Sequence, residues 1–459
     1  MTPWISRFLA ARLLDRQAGH RQRVAERFQR LRHYDYLGCE SREVIRRVRL
    51  AALLACAAEH VPHFRTLLKG VSIRADNALE VLADLPPMTR EQIQSDRARF
   101  VSDAAQEVRE DYTGGSTGTP MKFLVDPAAQ RAREASIMWA DSLAGWRPGH
   151  RIAMLWGSDR DVCSATANLR LRLRWLIENR RWFDAFEMSE RRLESYHRAL
   201  TRFRPHLIVA YASAIDELAA YLEQKDLRPP YPSLAIVSSA EVLTQGMRRR
   251  VEAVFACPVY DRYGNREAGA IAAECSEHRG LHVNEFDFIV EVDSPDPFRR
   301  PGPLRLTYLA NYAMPLIRYD SGDLALLAEG RCPCGRGTRR LQRIVGRISD
   351  VIVTRNGNRI HGEYVTHQLY GVEGVRRFQF IQESLDEYRL LLQPEGKGPP
   401  VEVTEEIRRR LETSLGPGVR VMIEIRPQLE KLPSGKFRFT ASRLREGRHG
   451  DAETTGGPR

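Results

Sequence analysis

The sequence is poor in cysteine and has no long apolar run. Its 459 residues include seven cysteines, an odd number spread thinly along the chain, which argues for reduced thiols in the cytoplasm rather than a disulfide framework. No window approaches 18 uninterrupted apolar residues, so no membrane span is predicted. The apolar start of the chain is interrupted by Arg7 and Arg12 and has no small-residue cleavage site, so a secretory signal is not expected.

Basic residues are concentrated at the start of the chain. The net charge is +12, and residues 1–50 hold twelve arginines against five acidic residues. Acidic residues such as Asp15 and Glu26 lie between the arginines, and no alternation of basic and aromatic residues follows, as nucleic-acid-binding surfaces would show. A solvated helical face is therefore favoured over a polyanion-binding surface, and no nucleic-acid partner is predicted.

The segment YTGGSTGTPMKF (112–123) concentrates glycines and hydroxyl groups. Backbone amides and hydroxyls in such a loop suit phosphate oxygens, although a flexible turn between two elements has the same composition. The pattern GxxxxGK[ST] is absent, which excludes the P-loop of the common NTPases. The candidate phosphate-binding residues are Thr113, Gly114, Gly115, Ser116, Thr117, Gly118 and Thr119.

Residues 1–70 have helical periodicity, and LADLPPMTREQIQSD is typical of a Pro-broken loop followed by a helix that Thr89 is placed to cap. Between 150 and 330, apolar strand candidates alternate with amphipathic helices, which predicts an α/β fold with a parallel or mixed sheet. The strand candidates are RIAMLWG, HLIVAYAS, LAIVSSAE and CPVYDRYG, and the helix candidates cover 188–203, 213–225 and 243–254. Ligands bind at the carboxyl ends of strands in such folds, where SSAE and DRYGNRE fall.

The pattern changes near residue 346, after which a turn, helices and strands indicate a small α+β domain. We predict a large N-terminal domain over 1–345, with a helical entry at 1–90, and a C-terminal domain over 346–445. The Gly/Thr/Asp-rich end of the sequence, 446–459, is predicted to be a disordered tail.

Three further motifs are weak when taken singly. YGNREAG (263–269) places Glu267 after a strand, RYDSGDL (318–324) places Asp320 and Asp323 around a Ser-Gly turn, and KLPSGKFRF (431–439) carries Lys436 on a turn. Each has an ordinary structural explanation: a solvated Glu at a strand exit, an Asp-capped hairpin and a solvated lysine.

The order of the motifs is more specific than any one of them. A Gly/Thr loop, aromatic-Gly-x-x-Glu, Arg-x-Asp-x-Gly-Asp, Gly-Arg-x-x-Asp and Pro-x-Gly-Lys follow one another between about 90 and 440. This series resembles the adenylate-forming superfamily of acyl-CoA synthetases, luciferases and nonribosomal peptide adenylation domains. Within it, the sequence is similar to the phenylacetate–CoA ligase branch, including relatives associated with capsule synthesis.

The resemblance implies that ATP and a carboxylic acid react first, with release of pyrophosphate and formation of an acyl-adenylate. Such phosphoryl chemistry depends mostly on positioning and charge stabilisation. The loop Thr113–Thr119 would cover the β- and γ-phosphates. Thr119 stands where many relatives have lysine, and Lys122 is a candidate substitute.

The resemblance also implies individual roles. Lys436, Glu267 and Arg347 are the predicted catalytic residues: Lys436 would contact the carboxylate and the α-phosphate, Glu267 would help to hold Mg²⁺, and Arg347 would support ribose or phosphate. Asp323 would accept hydrogen bonds from the ribose hydroxyls. The remaining predicted nucleotide-binding positions are Ser239, Ala240, Glu241, Tyr263 and Gly264.

The family resemblance further implies that the small domain rotates between the two half-reactions. The hinge position, two residues after Arg347, is Ser349 in this sequence, where relatives often have Asp or Lys. Serine is small and tolerates altered backbone dihedrals, so we expect the hinge to function.

Two cysteine motifs lie beside the nucleotide motifs. CSEH (275–278) and CPCGRG (332–337) supply Cys275, His278, Cys332 and Cys334, a donor set that favours tetrahedral, structural Zn²⁺, with His282 as the alternative nitrogen ligand. Such a metal is expected to fix the loops that carry Glu267 and Asp323. The competing interpretation is three unligated thiols. Some members of the family branch resemble this pattern and hold zinc.

The leading functional prediction is ATP-dependent activation of a carboxylic acid followed by transfer to coenzyme A. One alternative keeps the adenylation and transfers the acyl group to an amine or a carrier-protein thiol. Another is a nucleotide-binding scaffold without turnover. The sequence does not identify the acid, and a homodimer stays open.

Overall fold

The computed structural model describes residues 3–112, 121–156, 175, 178–185, 188–347, 351–355, 359–361, 365, 369, 372–430 and 439–444. The chain divides into two compact units, and the boundary falls just after a strand that ends at Arg347. The predicted phosphate loop, Ser349, Lys436 and the predicted tail lie outside the described residues.

Helices of the first unit cover its amino-terminal part and flank its strands. They are α1 (Pro3–Tyr34), α2 (Cys39–His60), α3 (Pro62–Leu67), α4 (Ala78–Asp84), α5 (Arg90–Ser95), α6 (Pro127–Leu143), α7 (Glu190–Phe203), α8 (Ala212–Gln224) and α9 (Gln245–Phe255), with a short 3₁₀ helix at Arg97–Phe100. The cap predicted at Thr89 is confirmed, because its side chain accepts from Gln92 N while the Gln92 side chain accepts from Thr89 N. No described helix is both long and apolar enough to cross a membrane.

Thirteen strands of the first unit are described. They are β1 (Arg109–Tyr112), β2 (Lys122–Val125), β3 (Ile152–Leu155), β4 (Arg180–Phe183), β5 (Leu207–Tyr211), β6 (Ala235–Ser239), β7 (Val259–Asn265), β8 (Gly269–Glu274), β9 (Leu281–Val283), β10 (Phe288–Val292), β11 (Gly302–Tyr308), β12 (Tyr319–Leu327) and β13 (Arg340–Arg347). Strands β1 and β2 form a separate antiparallel hairpin, whose two strands flank the predicted phosphate loop.

The other eleven strands form one mixed sheet in the order β10-β11-β12-β13-β9-β8-β7-β6-β5-β3-β4. Strands β3 to β7 pair in parallel, and β7 to β13 pair antiparallel. Every residue of β3, β5 and β6 is buried, as expected for parallel strands covered on both faces. The predicted α/β fold with a parallel or mixed sheet is confirmed.

The second unit has its own sheet and core. Its elements are β14 (Val351–Val353), β15 (Arg359–His361), β16 (Val375–Gln382), β17 (Glu387–Pro394), α10 (Val401–Leu415), β18 (Arg420–Ile425) and β19 (Thr440–Ser442). A four-stranded sheet has the order β18-β17-β16-β19. Ile407 and Leu411 of α10 share a buried cluster with Phe380 and Leu390 of the sheet, so the predicted small α+β domain is confirmed.

Candidate nucleotide site and cysteine–histidine cluster

The end of β6 is held on both sides by side-chain hydrogen bonds. Ser239 Oγ donates to the carbonyl of Arg262 on β7 over 3.0 Å, and Glu241 Oε2 accepts from Ser213 N in the first turn of α8 over 2.7 Å. Between them, Ala240 has a φ of 71°, a left-handed conformation that costs a non-glycine residue about 1–2 kcal/mol. We call Ser239, Ala240 and Glu241 the nucleotide platform. Its side-chain hydrogen bonds fix its shape.

The β7–β8 hairpin requires two glycines because the chain segments approach closely. A Cβ on Gly264 would lie 2.3 Å from the carbonyl oxygen of Gly269, and a Cβ on Gly269 would lie 2.7 Å from Ser136 Oγ of α6. The turn that they enclose carries Glu267, which is only 7% exposed. The carboxylate motif found in the sequence is therefore a tightly packed hairpin tip rather than a solvated strand exit.

Two predicted nucleotide residues from distant motifs are in direct contact. Tyr263 Oη donates to Asp323 Oδ2 over 2.6 Å. Asp323 lies on β12 and pairs through its backbone with Arg347 on β13. The sheet therefore brings the YGNREAG, RYDSGDL and Gly-Arg-x-x-Asp motifs to one place.

Lys122 lies at the base of the predicted phosphate loop. It pairs with Tyr112 in the last described register of the β1–β2 hairpin. Its Nζ lies 3.4 Å from Glu110 Oε1 and 5.4 Å from the centre of the Tyr112 ring. These contacts keep the ammonium group beside the loop, and its role as a substitute for the lysine absent at Thr119 stays a prediction.

Asp261 is a candidate residue that the motif analysis missed. It lies on β7 opposite Ser238, next to the platform. Burial and the nearby Glu274 carboxylate raise the pKa of Asp261 to about 7, while Arg248 and Arg262 act in the opposite direction. The sequence shows an acidic residue two positions before Tyr263, but no neighbouring motif marks it as a functional residue.

Four donors converge at a second place in the first unit. The Sγ atoms of Cys275, Cys332 and Cys334 and a ring nitrogen of His282 lie within 4.8 Å of one another; we call these residues the cysteine–histidine cluster. Cys275 Sγ and Cys332 Sγ are 3.7 Å apart, and Cys334 Sγ is 3.3 Å from His282 Nε2. Two sulfurs bound to one tetrahedral zinc at about 2.3 Å would lie about 3.8 Å apart. The donor set and its spacing therefore fit zinc.

The nitrogen donor of this cluster is His282, the alternative, rather than His278. His278 Nδ1 lies 3.2 Å from Glu274 Oε2 and 3.3 Å from Arg248 Nη1, and its ring packs on Tyr260. The preference for His278 was wrong because the Cys-x₂-His spacing is local, whereas His282 reaches the sulfurs from β9.

The surroundings of the cluster act differently on its donors: burial raises the pKa of the Cys275 thiol to about 12, whereas His282 and Cys334 are shifted toward their metal-binding forms. Burial, with Arg336 and Arg340, lowers the pKa of His282 to about 3, so the ring is neutral, and its Nδ1 lies 3.1 Å from Thr338 Oγ1. Such a second contact fixes the orientation of a ligating imidazole. Burial raises the pKa of the Cys334 thiol, but hydrogen bonds with Arg336, Cys332 and Cys275 together lower it overall.

The cluster is linked to the turn between α1 and α2. Arg336 Nε lies 3.1 Å from Asp35 Oδ2, and the same oxygen accepts from Trp139 Nε1 over 2.9 Å. Gly337 N donates to Asp35 O over 2.8 Å. Cys275 and Cys332 also share a buried cluster with side chains of α1. The cysteine–histidine cluster therefore lies beneath the helical entry.

The cluster and Glu267 lie at opposite ends of strand β8. Glu267 lies at the tip of the β7–β8 hairpin, whereas Cys275 follows the opposite end of β8. Six residues of strand separate the two ends by about 20 Å. A metal in the cluster would hold the far end of the hairpin and the helical entry, and its effect on the loops carrying Glu267 and Asp323 stays a prediction.

Comparisons with known proteins agree with the motifs and the fold. Residues 352–443 match the family model described as the CapK C-terminal domain. Protein CapK of Staphylococcus aureus is 22% identical, covering 82% of this chain and 83% of that protein. The phenylacetate-coenzyme A ligase of Thermus thermophilus is 28% identical over 80% and 82% of the two chains, and that of Escherichia coli is 28% identical over 82% and 89%.

Solved structures show the same fold. A 2-hydroxyisobutyryl-CoA ligase in the postadenylation state with R3-HIB-AMP has a TM-score of 0.69 at 21% identity, covering 89% of this chain and 91% of that chain. An anthranilate CoA ligase in complex with anthranoyl-AMP has a TM-score of 0.51 at 14% identity, over 72% and 66%. The predicted resemblance is thus confirmed: this chain is similar in sequence to phenylacetate–CoA ligases and to CapK, and it has the fold of the adenylate-forming CoA ligases.

Proposed function

We propose that this protein activates a carboxylic acid with ATP, releases pyrophosphate and transfers the acyl group from the adenylate to coenzyme A. The observation that carries the proposal is the contact between Tyr263 and Asp323, with the platform at the end of the adjacent strand β6 and Glu267 at the hairpin tip. Residues from three separate motifs thereby meet at one end of the sheet. The phenylacetate–CoA ligase relatives and the acyl-adenylate complexes of the structural relatives support the same reaction.

The described residues suit the ground state of adenylation. The Asp323 carboxylate accepts hydrogen bonds only, which fits the ribose hydroxyls, and Tyr263 fixes its orientation. The platform backbone suits the adenine ring. Glu267 offers the oxygen ligand that Mg²⁺ prefers, and that ion, when bound, offsets charge on the phosphate oxygens. Lys436 and Arg347 complete the set by resemblance.

One observation favours a second candidate for the acceptor. The C-terminal match is to the CapK C-terminal domain, and a second relative is CapK itself. Transfer to an amine or to a carrier-protein thiol is therefore the alternative to coenzyme A. The adenylation half-reaction is the same in both proposals.

We assign structural zinc to the cysteine–histidine cluster. Three sulfurs and one imidazole complete a tetrahedral shell and leave no open position for substrate. The ion would have no part in the acyl chemistry. Reduced thiols in this cluster are consistent with the predicted cytoplasmic location, and self-association as a homodimer stays a prediction.

Exchange of labelled pyrophosphate into ATP tests the proposed adenylation. The panel comprises aryl, fatty and amino acids, each with Mg²⁺ and without added acceptor. We expect acid-dependent exchange with one chemical class. Coenzyme A, amines and a carrier protein are then supplied separately with the active acid, and the product identifies the acceptor. Binding of ATP without exchange for any acid would contradict the proposal and favour a nucleotide-binding scaffold.

A further inference from the structure

A buried ion pair lies directly behind the nucleotide platform. Arg262 on β7 is 8% exposed and Asp141 on α6 is 2% exposed. Arg262 Nη1 donates to Asp141 Oδ1 over 2.8 Å. These two residues are 121 positions apart in the sequence, and no motif in the sequence includes either as a functional residue.

Arg262 contacts the platform as well as Asp141. Its Nε donates to Ser239 Oγ over 3.3 Å, and Ser239 Oγ in turn donates to the carbonyl of Arg262 over 3.0 Å. Ser239 and Arg262 are also register partners in the parallel pair β6–β7. The guanidinium group of Arg262 therefore connects α6, β6 and β7. It does so at Ser239, the last residue of β6, which directly precedes the left-handed Ala240.

The adjacent residue extends this connection to β12. Tyr263 follows Arg262 on β7 and donates to Asp323. Fixing Arg262 against Asp141 consequently fixes the strand that orients both Ser239 and Tyr263. The pair thus contacts one predicted nucleotide residue and neighbours another.

Stability alone does not explain an ion pair in this position. Removing two charges from water costs several kcal/mol per ion, and an apolar pair of similar volume is often neutral or stabilising. A buried charged pair does, however, define a geometry, because the planar guanidinium requires acceptors in fixed directions. Its benefit is then expected in the shape of the strand ends rather than in the free energy of unfolding.

We propose that Asp141 and Arg262 are positioning residues that hold the nucleotide platform and Tyr263 in the arrangement that binds ATP. This inference rests on the proposed adenylation, since it assigns the adenine and ribose of ATP to those strand ends. The two residues act through Ser239 and Tyr263 and touch no reacting atom.

Two variants separate positioning from folding. Arg262→Lys retains the charge but loses the forked donor geometry. Asp141→Leu combined with Arg262→Met removes both charges and leaves neither unpaired. Binding of Mg²⁺-ATP without acid is measured by titration calorimetry, and stability by thermal unfolding. We expect the dissociation constant for ATP to rise about tenfold in both variants, while the double variant unfolds near the wild-type temperature. In pyrophosphate exchange, KM for ATP should rise more than kcat falls.

Asp287→Asn provides a matched control, because it breaks another buried ion pair, with Arg27 of α1. It should lower the unfolding temperature and leave ATP affinity unchanged. The inference would be overturned if ATP affinity stayed within twofold of wild type in both Arg262→Lys and the double variant. An equal loss of affinity in Asp287→Asn would also overturn it. Wild-type protein that binds ATP without exchange would contradict the proposed reaction and leave this binding test valid, whereas absence of ATP binding would contradict both.

Discussion

The nucleotide platform and the cysteine–histidine cluster are held together in different ways. Around the platform, side chains such as Ser239 and Glu241 bond to neighbouring backbone groups. In the cluster, the ligand atoms of His282 and the three cysteines lie within 4.8 Å of one another. The first arrangement suits a ligand that enters and leaves in every turnover. The second suits an ion that stays bound.

The largest effect of a substitution is expected at the cysteine–histidine cluster, on zinc content and on the free energy of unfolding. Cys332→Ser removes a buried donor and should reduce zinc from about one per chain to a small fraction. The free energy of unfolding should fall by more than about 4 kcal/mol, because loss of a structural metal is among the most destabilising changes. Metal analysis and chemical denaturation measure these two quantities.

Cys39→Ser is the control, since Cys39 is exposed and lies outside the cluster. Limited proteolysis adds a local readout: loss of metal should expose the turn between α1 and α2, which Asp35 and Arg336 link to the cluster. Metal-free wild-type protein with unchanged stability in chelator would contradict the zinc assignment.

The next effect concerns the nucleotide end and the small domain. Lys436→Ala should lower the rate of adenylation by a factor of about 10²–10³, the scale for losing one preorganised electrostatic contact. Transfer from a supplied acyl-adenylate should change much less, because the resemblance assigns Lys436 to the first half-reaction alone. Measuring the two half-reactions separately, with the exposed Lys397→Ala as control, tests this assignment. Equal losses in both would argue against it.

A smaller effect is expected at the hairpin tip. Glu267→Gln removes one negative charge from the proposed Mg²⁺ site and should lower the turnover of pyrophosphate exchange by about tenfold, since each 1.4 kcal/mol of lost transition-state stabilisation has that effect. When Mg²⁺ is titrated at a fixed ATP concentration, the exchange rate of this variant should depend less on the Mg²⁺ concentration than that of wild type does. Glu277→Gln, exposed near the cluster, should match wild type. Unchanged rate and Mg²⁺ dependence in Glu267→Gln would show a misassigned role.

A further effect, on stability rather than on rate, is a pH dependence beside the platform. Because the pKa of Asp261 is raised from 3.8 to about 7, the folded state binds this proton more tightly than the unfolded state. The destabilisation from its buried charge is present above pH 7 and is relieved as the pH falls. Relative to Asp261→Asn, wild-type protein should therefore gain free energy of unfolding from pH 7 to pH 5, by at most about 1.4 kcal/mol per pH unit.

Denaturation of both proteins at several pH values measures this difference, with the exposed Asp226→Asn as control. Parallel pH curves for wild type and Asp261→Asn would contradict the raised pKa. A difference that grows with rising pH above 7 would contradict the sign of the effect.

The sequence predicts those parts of the site that depend on local order along the chain. Apolar strands that end in small or polar residues indicated where Ser239 and Tyr263 would meet a ligand. Local spacing failed for His278, because the backbone after Cys275 turns its ring toward Glu274, while His282 approaches from a different strand. The Asp141–Arg262 contact had no local signal, since it joins residues that only the folded sheet brings together.

Strand β8 also limits how this sequence can vary in length. Its six residues connect the turn carrying Glu267 to Cys275, and side chains along a strand alternate between faces. Deletion of one residue would turn Cys275 to the opposite face while leaving Glu267 in its turn. Deletion of two would preserve the face but shift the cysteine by about 7 Å. Related proteins that keep both sites should therefore keep the eight-position spacing between Glu267 and Cys275. Related proteins with a different spacing should lack the cluster.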